Sequence, residues 1–125
     1  MKYLCLIYHD EQQLDAMSAA DMSALNAAHL DFNDALRPTG KYLAAEALEP
    51  ARKSACVRIR KGKMTITDGP FAEAKEMVAG FYVIEAADMN EAIEIASRIP
   101  SASVGTIEVR PARQLQVEGR EPRWG

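Results

Sequence analysis

Two stretches of this chain are apolar on both sides of an extended backbone, and that limits the folds open to it. Along residues 2–8, Tyr3, Cys5 and Ile7 alternate with Leu4, Leu6 and Tyr8. Along Met77 to Glu85, the run Val78-Ala79-Gly80-Phe81-Tyr82-Val83-Ile84 does the same. Strand side chains alternate between faces, so a strand apolar at every position is covered on both sides and belongs in the middle of a sheet. Gly80 interrupts its side-chain row, which suits a bulge or a close backbone approach.

The elements between these strands set the connectivity. His9-Asp10-Glu11-Gln12-Gln13 reads as a polar loop. Ser18 suits a helix N-cap, with Asp21 in a capping-box-like position. Met22, Leu25, His29, Phe32 and Leu36 then form one apolar stripe, with Asp31, Asn33 and Asp34 on the other side. Pro38 and Gly40 stop the helix. Residues 41–49 read as a weaker, alanine-rich strand closed by Pro50. Ala55–Arg60 and Met64–Thr67, joined over Lys61-Gly62, read as a hairpin with Val57 and Ile59 on one face and Arg58 and Arg60 on the other. Asp88 and Glu91 begin a second helix with the stripe Met89, Ala92, Ile93, Ala96 and Ile99, ended by Pro100. Val104–Arg110 is the last strand.

With the hairpin set aside, the order is βαββαβ, the ferredoxin-like arrangement of the α+β class. Its first and third strands are central, and these are the two doubly apolar ones. The domain spans 1–111, and 112–125 is a polar C-terminal tail. Two helices cover only one face of a sheet. The apolar open face therefore predicts a homodimer, stacked sheet on sheet through that face.

Composition removes several functions. The net charge is −3 and the sequence pI about 5.4, with basic residues scattered, which argues against nucleic acid as a partner. No segment reaches the ~20 apolar residues of a membrane span, and the opening stretch does not read as a signal peptide. Cys5 and Cys56 have no metal or redox spacing and read as free thiols of a cytoplasmic protein. No Gly-rich phosphate loop, nucleophile elbow or Cys–His pattern is present, so no cofactor is expected. His9 and His29 lack local ligand spacing, so no metal is expected either.

The most constrained turn is Asp68-Gly69-Pro70-Phe71, between the hairpin and the second central strand. Asp opens a turn, Gly69 allows an unusual φ and Pro70 fixes the next one; Phe71 reads as a core plug. This stretch carries a resemblance. Met1-Lys2-Tyr3-Leu4 with Ile7-Tyr8, Thr67-Asp68-Gly69-Pro70-Phe71-Ala72-Glu73 with Lys75-Glu76, Gly80-Phe81-Tyr82-Val83-Ile84 and Ile107-Glu108-Val109-Arg110-Pro111 resemble the YCII-related family, and best its DGPF subgroup. The resemblance implies a dimeric α/β-barrel-type assembly of ferredoxin-like domains. It also implies an active site in a cleft, built on a histidine of the first helix and an aspartate of the central turn. By position these are His29 and Asp68.

His29 is the one stripe member that hydrophobicity does not explain. Such a histidine is more often a packed, hydrogen-bonded core residue. An imidazole also passes protons at neutral pH, and a carboxylate beside it fixes its tautomer. Three further residues are candidates for binding substrate. Glu46 is the only charge between Tyr42 and Leu48, facing either the cleft or the sheet edge. Lys75 is either part of a solvated charge run or a grip for an anion. His9 lies at the end of a central strand, where loops carry function. The expectation is a small cofactor-free enzyme using the His29–Asp68 pair for lyase- or isomerase-like acid/base chemistry on a small metabolite. The alternatives are a non-catalytic ligand-binding or regulatory dimeric module, and a purely structural interaction domain.

Overall fold

A computed structural model describes all 125 residues. Nine regular elements follow one another: β1 (Lys2–Asp10), α1 (Glu11–Ala16), α2 (Ala19–Leu36), β2 (Tyr42–Ala47), β3 (Ala55–Arg60), β4 (Lys63–Asp68), β5 (Glu76–Glu85), α3 (Met89–Ser97) and β6 (Thr106–Pro111). Four strands form one sheet in the order β2-β5-β1-β6, and every pair is antiparallel. The doubly apolar strands β1 and β5 are the central pair. The arrangement is α+β and compatible with the ferredoxin-like order of elements. The hairpin β3–β4 forms a separate two-stranded sheet.

The expected caps are present. Ser18 Oγ accepts the Asp21 N–H at 3.0 Å, and Asp88 Oδ1 accepts the Glu91 N–H at 2.9 Å. Each such cap contributes about 1 kcal/mol to its helix. The loop expected after β1 is instead the short helix α1, capped by Asp10 Oδ1 on the Gln12 N–H at 3.0 Å. With six residues and Leu14 its one large apolar side chain, α1 has no stripe to read. Lys61 and Gly62 both take positive φ (51° and 73°), as a tight two-residue hairpin turn requires.

Register divides the sheet into two unlike faces. Tyr3, Cys5 and Ile7 of β1 and Tyr82 and Ile84 of β5 are buried together with Leu36 of α2 and Ala92, Ile95 and Ala96 of α3. Both long helices therefore lie on this face. Ile84, Ile95 and Ile99 are almost wholly buried, each contributing roughly 1.5–3 kcal/mol. The other face carries Leu4, Leu6, Tyr8, Phe81 and Val83, paired across β1 and β5, and these stay only half-buried in the single chain. The ladder shifts register between Ile7 and Tyr8, opposite the segment around Gly80. A Cβ on Gly80 would stand 2.9 Å from the Glu46 carbonyl oxygen, so β2 approaches there as only glycine permits.

Two apolar features lie outside the core. Val57 pairs with Ile66 and Ile59 with Met64, which puts all four on one hairpin face, 59%, 60%, 64% and 63% exposed respectively. Phe71, read from sequence as a core plug, is 78% exposed, with the Arg58 guanidinium 5.4 Å from its ring centre. Nothing in the single chain covers it, because the turn that carries it continues from the hairpin and not from the main sheet. The tail folds back near the start of the chain: the Ala112 N–H donates to the Lys2 carbonyl at 2.9 Å, and the Lys2 ammonium lies 5.4 Å from the Trp124 ring centre. No helix is long and apolar enough to cross a membrane. Both cysteines are free thiols, and burial pushes the Cys5 thiol up to about 11.

Candidate functional site

Between α2 and the sheet lies a cavity of about 540 Å³. Its origin is local. Ala45, Ala47 and Gly80 supply a floor of small residues on the helix-bearing face. The C-terminal half of α2 packs down through Leu36 and Phe32, the latter edge-on to Tyr82 at 5.7 Å. Met22 and Leu25 of the N-terminal half, with Leu30 just past the middle of the helix, form the roof, and Leu14 of α1 and Leu48 also line the space.

One connected hydrogen-bond network runs along this cavity. His29 Nε2 lies 2.7 Å from Ser101 Oγ, and His29 Nδ1 lies 3.1 Å from the Tyr82 hydroxyl. That hydroxyl donates to Asn33 Oδ1 at 2.5 Å. On the far side of Ser101, His9 Nε2 is 2.9 Å from the same Oγ. The pattern assigns every proton. Tyr82 has its single proton on Asn33, so its oxygen accepts from His29 Nδ1–H. His29 Nε2 is then an acceptor and takes the Ser101 proton. Ser101, having donated, accepts from His9 Nε2–H. Two neutral imidazoles of opposite tautomer are thus joined through one serine.

Burial is the main reason both imidazoles are harder to protonate than usual. For His9 a nearby Glu76 carboxylate works the other way; for His29 the neighbouring His9 adds to the effect. Burial also pushes the Tyr82 phenol up to about 12, with Tyr42 adding to it and the Asn33 bond opposing. The folded chain therefore binds fewer protons at these histidines than the unfolded chain, so stability rises with pH across their titration. It is present in full above the ordinary histidine value of 6.5 and declines as pH falls below it. The urea midpoint should drop between pH 7.5 and pH 5.5, and a His9→Gln, His29→Gln double variant should flatten that slope. An equal slope in the variant would refute the assignment.

The residues expected at the site fall out differently. His29 and His9 are both at the cavity and joined by Ser101. Asp68 ends β4 in the separate hairpin sheet, is exposed, and makes no hydrogen bond to His29, whose ring nitrogens are both taken. The partner that orients His29 within one chain is Tyr82, not Asp68. Glu46 borders the cavity, but it pairs with Phe81 across the ladder, so its side chain belongs to the open face and it meets the cavity through its backbone. Lys75 is exposed and outside the cavity wall.

Three members of the network had no role in the sequence-based site. By sequence Asn33 belongs to the polar side of the first helix, although it lies one turn past His29 and that spacing puts both on neighbouring positions. Tyr82 was indistinguishable from its apolar neighbours in β5. Ser101 sits in the 3₁₀ turn Pro100–Ser103, where no sequence signal marks it.

These observations define a class: an antiparallel α+β domain with its helices on one face and a histidine-lined cavity under the first long helix. The particular family follows from comparison. The YCII-related domain matches residues 1–116. An uncharacterized protein of Rhizobium meliloti (strain 1021) is 36% identical over 117 residues, covering 89% of this chain and 91% of that protein. The chain belongs to the YCII-related domain family.

Proposed function

We propose that this protein is a small cofactor-free enzyme that moves protons, in lyase- or isomerase-like chemistry, on a small metabolite held in the α2 cavity, with His29 as general acid/base. The observation that carries this is a serine hydroxyl held between two imidazole Nε2 atoms, at 2.7 and 2.9 Å, on the wall of that cavity. A ligand proton delivered to Ser101 Oγ releases the serine's own proton to His29 Nε2. The imidazolium formed donates to Ser101 and to Tyr82, and both oxygens have lone pairs to receive it. Reversing the steps at another ligand atom returns the proton, giving isomerisation, or assists a leaving group, giving elimination. The raised cost of protonating buried His29 keeps it in the base form at neutral pH. The orienting part given to Asp68 by the family resemblance is taken within one chain by Tyr82 and Asn33.

We place this chemistry in a cytoplasmic homodimer of the α/β-barrel type, joined through the open sheet face. Support comes from the half-buried row Leu4, Leu6, Phe81 and Val83, together with the uncovered hairpin face. The cavity lies on the opposite face, under the helices. A non-catalytic ligand-binding module is the second reading, favoured by the near-complete burial of Ser101 at 2% exposure.

Exchange of α-protons in a neutral cyclic ketone, followed by NMR in D₂O at pH 7, separates the two readings. The protein should accelerate exchange, and His29→Ala should lower the rate by about a hundredfold or more. Asp68→Asn should leave it within about twofold, since Asp68 is outside the relay. A wild-type rate equal to that of buffer would favour the binding module.

A further inference from the structure

We infer that the α2 cavity takes an uncharged, mainly apolar molecule bearing one hydroxyl, of the class of an alkylphenol or a cyclic enol, with that hydroxyl donating to Ser101 Oγ. This rests on the cavity being the ligand site proposed above and names what it selects.

The first argument is charge. The cavity wall contains no lysine, arginine or aspartate. Its one formally charged residue, Glu46, directs its side chain to the other face of the sheet by its pairing with Phe81. An anion in the cavity would lose its hydration and meet no counter-charge, and a cation would fare no better. The volume, about 540 Å³, suits a molecule of metabolite size rather than an ion.

The second argument counts donors and acceptors. Within the network every proton of His9, Ser101, His29 and Tyr82 that the bonds assign is already committed. Ser101 Oγ has donated one proton and accepted one, which leaves a lone pair. At Ser101 the seam therefore offers the ligand an acceptor. A hydroxyl can use it; a carboxylate or an ether, having no proton to give, cannot. The rest of the wall is mainly apolar, Met22, Leu25, Leu30 and Leu48 included, with the neutral amides of Asn26 and Asn33 beside them, and fits an alkyl or ring body.

Three probes matched in shape test this: 4-ethylphenol, 4-ethylbenzoate and 4-ethylanisole, titrated at pH 7 and followed by backbone amide NMR. The phenol should shift the amides of Leu25, His29 and Ser101 saturably. The benzoate and the anisole should bind about tenfold more weakly or worse, the first for its unpaired charge and the second for its missing proton. In Ser101→Ala the phenol should lose its advantage over the anisole. The inference is overturned if the benzoate binds these residues as tightly as the phenol, or if the phenol shows no saturation there at millimolar concentration. Selective phenol binding by a protein that exchanges no ketone protons would overturn the acid/base function and leave this inference standing. Exchange activity with benzoate preferred would do the reverse.

Discussion

Replacing Gly105 by Ala should lower the melting temperature by roughly 10 °C, from a cost of about 3 kcal/mol. Gly105 lies between the Pro100–Ser103 turn and β6, and its N–H donates to the Ser101 carbonyl at 2.8 Å. A Cβ there would overlap the Tyr8 carbonyl oxygen and stand 3.2 Å from His9 Nδ1. The obstacle is the backbone of a central strand, which cannot rotate aside as a side chain can. Relief requires the turn to lift from β1, and that turn carries Ser101. The substitution should therefore also break the Ser101–His9 bond and depress proton exchange in whatever fraction remains folded. Gly119→Ala is the matched control. Gly119 has φ of 80° but nothing within 4 Å of a Cβ, so its cost is conformational and about 1 kcal/mol. Thermal scans of the two variants decide the matter: a Gly105→Ala protein that melts with the wild type would show that the close approach is not rigid.

Introducing Ile66→Asp should convert the proposed dimer to monomer in the ultracentrifuge at micromolar concentration, with little change in the stability of the monomer itself. Ile66 is 60% exposed in the single chain and shares a face with Val57, Ile59 and Met64. A charge placed there meets solvent in a monomer and costs little. In a dimer that buries the face, the same charge is desolvated without a partner, which costs several kcal/mol. Thr65→Asp, on the opposite hairpin face beside Arg58, should leave the dimer intact. If Ile66→Asp sediments as the wild type does, the hairpin face is not part of the dimer contact. A wild type that is monomeric at micromolar concentration would remove the dimer itself.

The strand order was legible in the sequence because it depends on local alternation. Tyr3-Cys5-Ile7 and Gly80-Tyr82-Ile84 each declare a buried face, and Leu4-Leu6 and Phe81-Val83 declare a second one. Ser18 and Asp88 likewise announced their helices, since a cap acts on backbone two or three residues away. Helix α1 escaped because six residues with one large apolar side chain have no periodicity. Phe71 misled because an aromatic after a rigid turn looks like core, and only the placement of the hairpin outside the main sheet leaves it exposed.

The candidate site divides along the same line. His29 could be picked out by itself, as an imidazole in a stripe of apolar side chains. Its partners could not. Ser101 is 72 residues from His29 and 92 from His9, and Tyr82 is 53 residues from His29. No spacing rule reaches across such separations. The sequence alone determined an α+β frame with two central strands, a helix bearing His29 and a rigid turn at Asp68. The tertiary structure decided that this helix stands over small residues of β2 and β5, leaving a cavity, and that the turn after α3 brings Ser101 between two histidines. It also put Asp68 in a separate sheet, exposed and outside that network. Local preferences are written in neighbouring residues; a shared proton path is made only when distant strands and turns are packed against one another.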